Sequence, residues 1–578
     1  MTHGSSIPDP SPGLRPTPPP SLLTSLLVAG VLGVFLSACA AGAGPGGVVQ
    51  AAPEAGHAGH GDPSAGPTAL ERVPLYDDLG DLTRPIRSSV PEAQLYFDQG
   101  FRLTYGFGHP EGIRAFREAQ RLDPECAMCF WGEAWARGPY INARMDSAGG
   151  VAAFEAIQRA QELVAAEPES VTPVEADLIE AMATRYVAVP TRENRPGLDS
   201  LYADAMREVF AAHPEDLDVG TLFAESLMVL RPWDHWTREG RPQPGTEEVL
   251  ATLEAVLALD ITHPGSCHLY IHATEASPDP GRAEACADHL GDAIPGASHI
   301  PHMPSHTYVQ IGRWGDAVRG NQRAWHADQR AWFGSAPGIY PTHNLHMLLY
   351  AAAYDGQSAV AGQAARDLAR ISAGSAFYVD VIMARFGRWD DLLDQRAAPS
   401  VQWQRGVAHM GRGLAHLKAL QGGSPDSASV YLERLRAVRD SLPEGAAFRG
   451  HPARGLLDIA GAILEGEIHA AAGRYPQAIQ VLESVLPIED GLDYDEPEPW
   501  PLPVRHVLGG ILLEAGLPDA AEVRFREDLE HHPGNGWALF GLARALRDLG
   551  LPVEAERTEA EFEAAWVRAD VWLRGSRF

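Results

Sequence analysis

At 578 residues the chain exceeds a single compact core and leaves room for several domains or one repeat array. Hydrophobic residues make up 45 % of it, so most of it can fold, whereas 46 Lys+Arg against 76 Asp+Glu give a formal net charge of −30. That acidity, with no local basic block to offset it, excludes nucleic acid as an expected partner, because phosphate backbones would be repelled.

Residues 1–20 are rich in Pro and Ser and carry one Arg, Arg15; Ser21 to Ser37 then form the apolar stretch SLLTSLLVAGVLGVFLS. A spanning helix needs ~20 apolar residues, and small residues follow this shorter run, so 1–38 reads as a secretory signal. The sequence Leu36-Ser37-Ala38-Cys39 resembles the lipobox of bacterial lipoproteins. The resemblance implies cleavage before Cys39, acylation of its sulfur and new amino group, and membrane attachment through that lipid. Ala40, in place of an acidic residue, implies sorting to the outer membrane, facing the periplasm or the surface. A plain signal peptide or a retained anchor helix are the alternatives. Residues 39–88, dominated by Gly, Ala and Pro, offer little to bury and are expected to form a disordered tether. His57 and His60 within it are expected to be incidental.

From about residue 90 the apolar spacing becomes helical, and internal repeats emerge. Gln94 to Pro124 matches the tetratricopeptide pattern: Gly100 where two helices cross, Gly112, Phe116 and Ala119 along the second helix, Pro124 as terminator. Gly509, Ala521, Phe525 and Pro533 repeat this arrangement, as do Gly466, Ala478 and Leu482. Small residues are needed where helices approach closely, and the bulky residue fills the notch beside them. In the middle, Ala283 and Pro295 share the offset of Gly112 and Pro124 (295 − 283 = 124 − 112 = 12), and Ala317 follows Ala283 by one 34-residue repeat. The expected fold is an all-α solenoid of tetratricopeptide-type helix pairs: an N-terminal array over 89–360 and a C-terminal one over 361–578. Insertions at 231–247 and 327–342 are rich in Gly, Pro and Trp and are expected to drape over the concave groove, where solenoids usually bind.

The middle carries the specific chemistry. Residues 263–275 read HPGSCHLYIHATE and residues 299–308 read HIPHMPSHTY. His268 and His272 are four apart and share a helical face, as do His302 and His306; the pairs are one repeat apart (302 − 268 = 306 − 272 = 34). Stacked repeats should set these four imidazoles side by side on neighbouring first helices, facing the groove. Imidazole suits Zn, Cu, Fe or Ni. Glu275, near His272, could ligate, orient or act as a base. His343 and His346 form a third pair whose register is broken by an insertion; His263 and His299 precede their helices and are weaker candidates. Repeats also copy packing residues, and a groove can use neutral His to bind peptide, so metal, peptide and purely structural readings all stand. No H-E-x-x-H metalloprotease signature is present.

Cys267 and Cys286, on the two helices of one pair, are expected to form a disulfide bracing His268 and His272 in an oxidising compartment. Cys126 and Cys129 form a C-x-x-C for which a local disulfide is favoured over free thiols or a metal or redox role. Trp131, Trp135, Trp233 and Trp236 read mainly as core, with ligand stacking as the alternative. Glu225 is placed by register near His268.

The span 94–360 resembles a group of uncharacterised bacterial tetratricopeptide-repeat proteins, through FWGEAWARGPYIN, LMVLRPWDHW, CHLYIHATEAS, HMPSHTYVQIGRW and HNLHMLLYAAAYDG. The resemblance implies the fold and export, and no activity. The leading functional expectation is an exported, lipid-anchored solenoid whose groove binds a transition metal (Zn, Cu or Fe). The alternatives are a protein- or peptide-binding scaffold of the cell envelope without metal, and a metal-dependent enzyme acting in the groove.

Overall fold

The computed structural model describes residues 73–395, 398–418 and 423–578. The expected signal segment, Cys39, His57 and His60 lie outside them. The regular structure of the described chain is almost entirely helical, and its short hairpin pairs Ala447–Phe448 with His451–Pro452. Helices pack in consecutive pairs, as Pro91–Tyr105 does on His109–Leu122, Pro341–Tyr354 on Ser358–Ile371 and Val504–Glu514 on Pro518–His531. First helices of successive pairs also touch one another. The protein is the all-α solenoid of tetratricopeptide-type helix pairs that the periodicity predicts.

Local chemistry sets the elements. Helices start at Pro in the first turn or at side-chain caps. Thr172 and Glu175 form a reciprocal capping box, and Asp216 accepts from the Val219 N–H at 3.0 Å. Pairs turn on glycines such as Gly356 (φ 73°) and Gly516 (φ 74°), in a backbone region that strains other residues.

The crossing notches explain how repeats couple. Gly100 and Gly132 approach the ring of Phe116, where an added Cβ would meet it at 2.9 Å and 2.4 Å. Gly509 and Gly541 receive Phe525 in the same way, at 2.5 Å and 2.2 Å. One aromatic ring thus wedges between the first helix of its own pair and that of the next. Gly466 takes Leu482 similarly, at 2.9 Å.

The concave side is not the open groove expected near the histidines. Every residue of Pro264–Thr274 is buried, because second helices cover one side and the chain's own loops fill the other. Trp500 and Leu502, in the loop before Val504–Glu514, are buried. Asp495 of that loop pairs with Arg449 at 2.8 Å, and Arg238 of the 231–247 insertion donates to the Asp490 carbonyl. C-terminal repeats return to the middle of the array: Trp314 donates to the Pro533 carbonyl at 2.9 Å, and Arg568 clasps Asp355 at 2.6 and 2.9 Å.

Two expected boundaries shift. Residues 73–88, which composition assigns to the tether, pack on the array. Leu79 is buried, and Arg84 pairs with Asp216 and Asp218, each at 2.9 Å. A few anchoring side chains suffice for this, and bulk composition does not register them. The division at 360 falls inside the helix Ser358–Ile371, and among the described residues no compact unit ends there.

Gly132→Ala, which drives a methyl group into the Phe116 ring, is expected to cost about 1–3 kcal/mol by overpacking. A fall in the urea midpoint at unchanged m-value measures it; an unchanged midpoint would contradict the wedge.

Candidate metal centre

The helix Pro264–Thr274 presents His268 and His272 one turn apart. The next first helix is interrupted. His299–His302 and Pro304–Gln310 are separate segments, because Pro301 and Pro304 lack the N–H that an uninterrupted ladder requires. The spacing of His299, His302 and His306 keeps their rings together across the break. The helix Pro341–Tyr354 adds His343 from the following repeat. Six imidazoles therefore meet: the rings of His268 and His299 lie 5.0 Å apart, those of His272 and His306 5.5 Å, those of His299 and His302 5.4 Å, and those of His302 and His343 4.4 Å.

Their outer nitrogens are held by oxygen. His268 donates from Nδ1 to the Tyr105 carbonyl at 2.6 Å. His302 donates from Nδ1 to Asn321 Oδ1 at 2.6 Å, and Asn321 Nδ2 donates to the Ala317 carbonyl at 2.8 Å, which fixes the amide with its oxygen toward the imidazole. Glu275 spans two repeats: Oε1 meets His272 Nδ1 at 2.8 Å and Oε2 meets His306 Nδ1 at 2.5 Å. A neutral imidazole that donates from Nδ1 keeps only a lone pair on Nε2. The Nε2 atoms of the cluster converge. Nε2 of His302 and His306 are 2.7 Å apart, those of His268 and His299 3.2 Å, and those of His306 and His343 3.4 Å. His272 Nε2 and His299 Nδ1 are buried with no partner at all.

The groups sit in an apolar enclosure that sets their charge. Burial pushes the His268 imidazole down to about 3, against the favourable Tyr105 carbonyl. His272, His299, His302 and His343 lie well below the ordinary imidazole value, through burial first and mutual repulsion second. Burial likewise raises Glu275 to about 8, and it raises Glu496, next to Glu275, well above the carboxylate range. The imidazoles are neutral at pH 7, the form that binds metals.

Aromatic side chains wall the cluster from strained backbone. Among the described residues, the non-glycines with positive φ are Phe107 (59°), Trp233 (61°), Tyr340 (57°) and Arg449 (49°). The Phe107 ring is 4.2 Å from His268, Trp233 meets His272 edge-on at 5.1 Å, and Tyr340 meets His299 edge-on at 5.0 Å. Tyr340 also bonds Tyr140 through their hydroxyls at 2.7 Å. Each such backbone state costs on the order of 1–3 kcal/mol, and such strain concentrates at functional sites. Trp233 and Tyr340 belong to the two insertions.

Other expected residues fall elsewhere. His346 instead packs its ring on Tyr378 at 4.6 Å and joins no group of imidazoles within ligand reach among the described residues. His263 caps its helix and meets Asp218 at 3.2 Å. Glu225 accepts from Trp135 Nε1 at 2.8 Å instead of facing His268. Trp131 and Trp135 are core, and Trp236 donates to the Ala273 carbonyl at 2.8 Å. Cys267 is paired with Cys286 (Cα separation 4.9 Å), and Cys126 with Cys129 (5.4 Å), both at Cα separations that a disulfide spans. Sequence reasoning ranked His299 low and had no signal for Phe107, Tyr340 or Glu496. The positive-φ positions of Phe107 and Tyr340 leave no mark in composition.

No protein-family model matches the chain, and no curated protein matches it. Among solved structures it is similar to the Cut9–Hcn1 hetero-tetramer of the APC/C (14 % identity, 83 % of this chain and 74 % of that one, TM-score 0.28). It is also similar to yeast Tom70 (10 %, 83 % and 90 %, TM-score 0.26) and to the P58(IPK) TPR domain (11 %, 79 % and 98 %, TM-score 0.20). Superpositions this loose carry nothing about register or site.

Beyond Glu275 and Glu496 lies a cavity of about 30 Å³, on whose far side stand Glu498 and His532. There Asp528 accepts from His506 at 2.7 Å and from His532 at 3.1 Å, and His532 also meets the half-exposed Glu498 at 3.1 Å. A cavity of about 610 Å³ between residues 312–316 and the C-terminal helices touches none of the clustered imidazoles.

Burial alone would lower His532, but Glu498 and Asp528 outweigh it and raise the imidazole to about 10. A raised basic group adds stability that is complete below its unfolded value, near 6.5, and is lost as pH rises through its folded value. Melting temperature is therefore expected to fall between pH 7 and pH 10, and to fall less in His532→Gln. Parallel profiles for the two proteins would contradict this pairing.

Proposed function

We propose that this is an exported helical-repeat protein whose enclosed imidazole cluster holds a transition metal. The observation that carries the reading is the convergence of unprotonated nitrogens. His268 and His302 donate from Nδ1 to oxygen, so their Nε2 lone pairs face other imidazoles, and His272 Nε2 is buried without a partner. An unpartnered buried acceptor costs ~1–3 kcal/mol. A cation among these nitrogens turns that cost into bonds. The carboxylate and carbonyl partners on Nδ1 match the way metal-bound imidazoles are oriented. Glu275, grouped at first among ligands, acts in this reading as the orienter of His272 and His306. The two cysteine pairs favour an oxidising compartment, in keeping with the lipobox-like segment at Cys39 and lipid attachment there.

The scaffold reading keeps one supporting observation: Trp332 and Phe333, in the 327–342 insertion, are exposed. It places a partner protein on that outer surface and predicts binding that survives chelators. The enzyme reading requires a substrate to reach the metal past Trp233, the half-exposed ring over His272.

Protein purified without an affinity tag is expected to retain at least one equivalent of transition metal, lost in a folded His268→Ala/His302→Ala variant. Elemental analysis beside circular dichroism checks it. Near-zero metal in both, even after reconstitution, would sink the proposal.

A further inference from the structure

The clustered imidazoles divide. Ligand atoms of His268, His272 and His299 all lie within 4.8 Å of one another, and so do those of His302, His306 and His343. Each set is built alike: an H-x-x-x-H pair from one repeat, completed by one imidazole from the next first helix. A single ion in such a site takes about four donors, so six imidazoles exceed one ion's needs and supply two with three apiece. Building on the metal-binding reading above, we infer that the cluster is a dinuclear copper centre, each Cu(I) bound by three imidazole nitrogens.

Four features support a pair and support copper. The sets adjoin, with ring separations of 5.5 Å for His272 and His306 and 5.4 Å for His299 and His302. Glu275 orients one imidazole of each set with its two oxygens, so the sets are positioned as one unit. Nitrogens ~2.0–2.1 Å from a shared ion stand ~3.3–3.6 Å apart. The 3.2 Å separation of His268 and His299 and the 3.4 Å separation of His306 and His343 approach that span, while the 2.7 Å of His302 and His306 must widen. Finally, each set is made of buried neutral imidazoles, the first of them walled by Phe107, Trp233 and Tyr340. Burying two monovalent ions there costs far less than burying two divalent ones. Copper suits imidazole, and neither set holds the fourth protein ligand of a closed zinc site. A mixed group of His272, Glu275, His306 and Glu496 also lies within ligand reach. It would draw Glu275, His272 and His306 out of the two imidazole sets, so it competes with the pair instead of adding to it.

The test uses the untagged full chain, loaded anaerobically with Cu(I) and desalted against a Cu(I) chelator. Two copper ions per chain are expected, falling to one in His268→Asn/His299→Asn and to one in His302→Asn/His343→Asn. One copper in the wild type, or loss of all copper on disabling one set, would overturn the pair while leaving the metal reading intact. No copper, but retained zinc, would overturn the metal's identity; no metal of any kind would overturn the reading beneath it. Should the variants fail to fold, X-ray absorption of the wild type decides. Three nitrogen scatterers and one copper scatterer per copper are expected, and the absence of copper–copper scattering at two equivalents would refute the pair.

Discussion

A neutral imidazole has one N–H and one lone pair, and fixing the first fixes the second. In the middle of this chain Tyr105 and Asn321 take the Nδ1 protons of His268 and His302, whose Nε2 lone pairs are forced inward, and Glu275 holds the Nδ1 side of His272 and His306. Inside a dry protein, that is an expensive arrangement unless something positive sits among them. The rest of the architecture is arranged around this constraint. Each anchor comes from a different part of the chain: the end of the first helix, the second helix of the 299–331 repeat, and the last residue before the 276–283 turn. The cluster is thus a property of the assembled solenoid and not of any single repeat.

The enclosure has the same logic. Repeat coupling by Phe116 and Phe525 builds a stiff frame that needs no strain. Strain appears where loops enter the cluster: at Phe107 in the turn after the first helix, at Trp233 and Tyr340 in the insertions, and at Arg449 beside the covering loop. The C-terminal repeats return to the middle through Trp314–Pro533 and Arg568–Asp355. Their own loop, carrying Asp495 and Glu496, then covers the imidazoles. The acidity of the whole chain has a local counterpart here: Glu275 and Glu496, brought close and buried, are both raised out of the ordinary carboxylate range.

Much of this was legible in the sequence, and the illegible part has physical causes. The Gly–Phe offsets announced the repeat because a wedge needs a small residue opposite a large one. His268 and His302, and His272 and His306, were brought together as their one-repeat spacing requires. His299 was undervalued because it was placed before its helix, whereas it opens the segment His299–His302 one turn from His302. His346 was grouped with His343 where an insertion blurs the register, and it packs on Tyr378 instead. The open groove was expected because amphipathic periodicity says nothing about what returns to cover a face. Residues 73–88 look like tether by composition, yet Leu79 and Arg84 anchor them.

The central claim is that neutral imidazoles turn their Nε2 lone pairs into a dry, shared space. Long-range ¹H–¹⁵N correlation of histidine-labelled, metal-free protein at neutral pH reads the tautomer of each ring directly. The account predicts protons on Nδ1 and bare Nε2 for His268 and His302. Protonation at Nε2, or imidazolium forms, in these rings would contradict it.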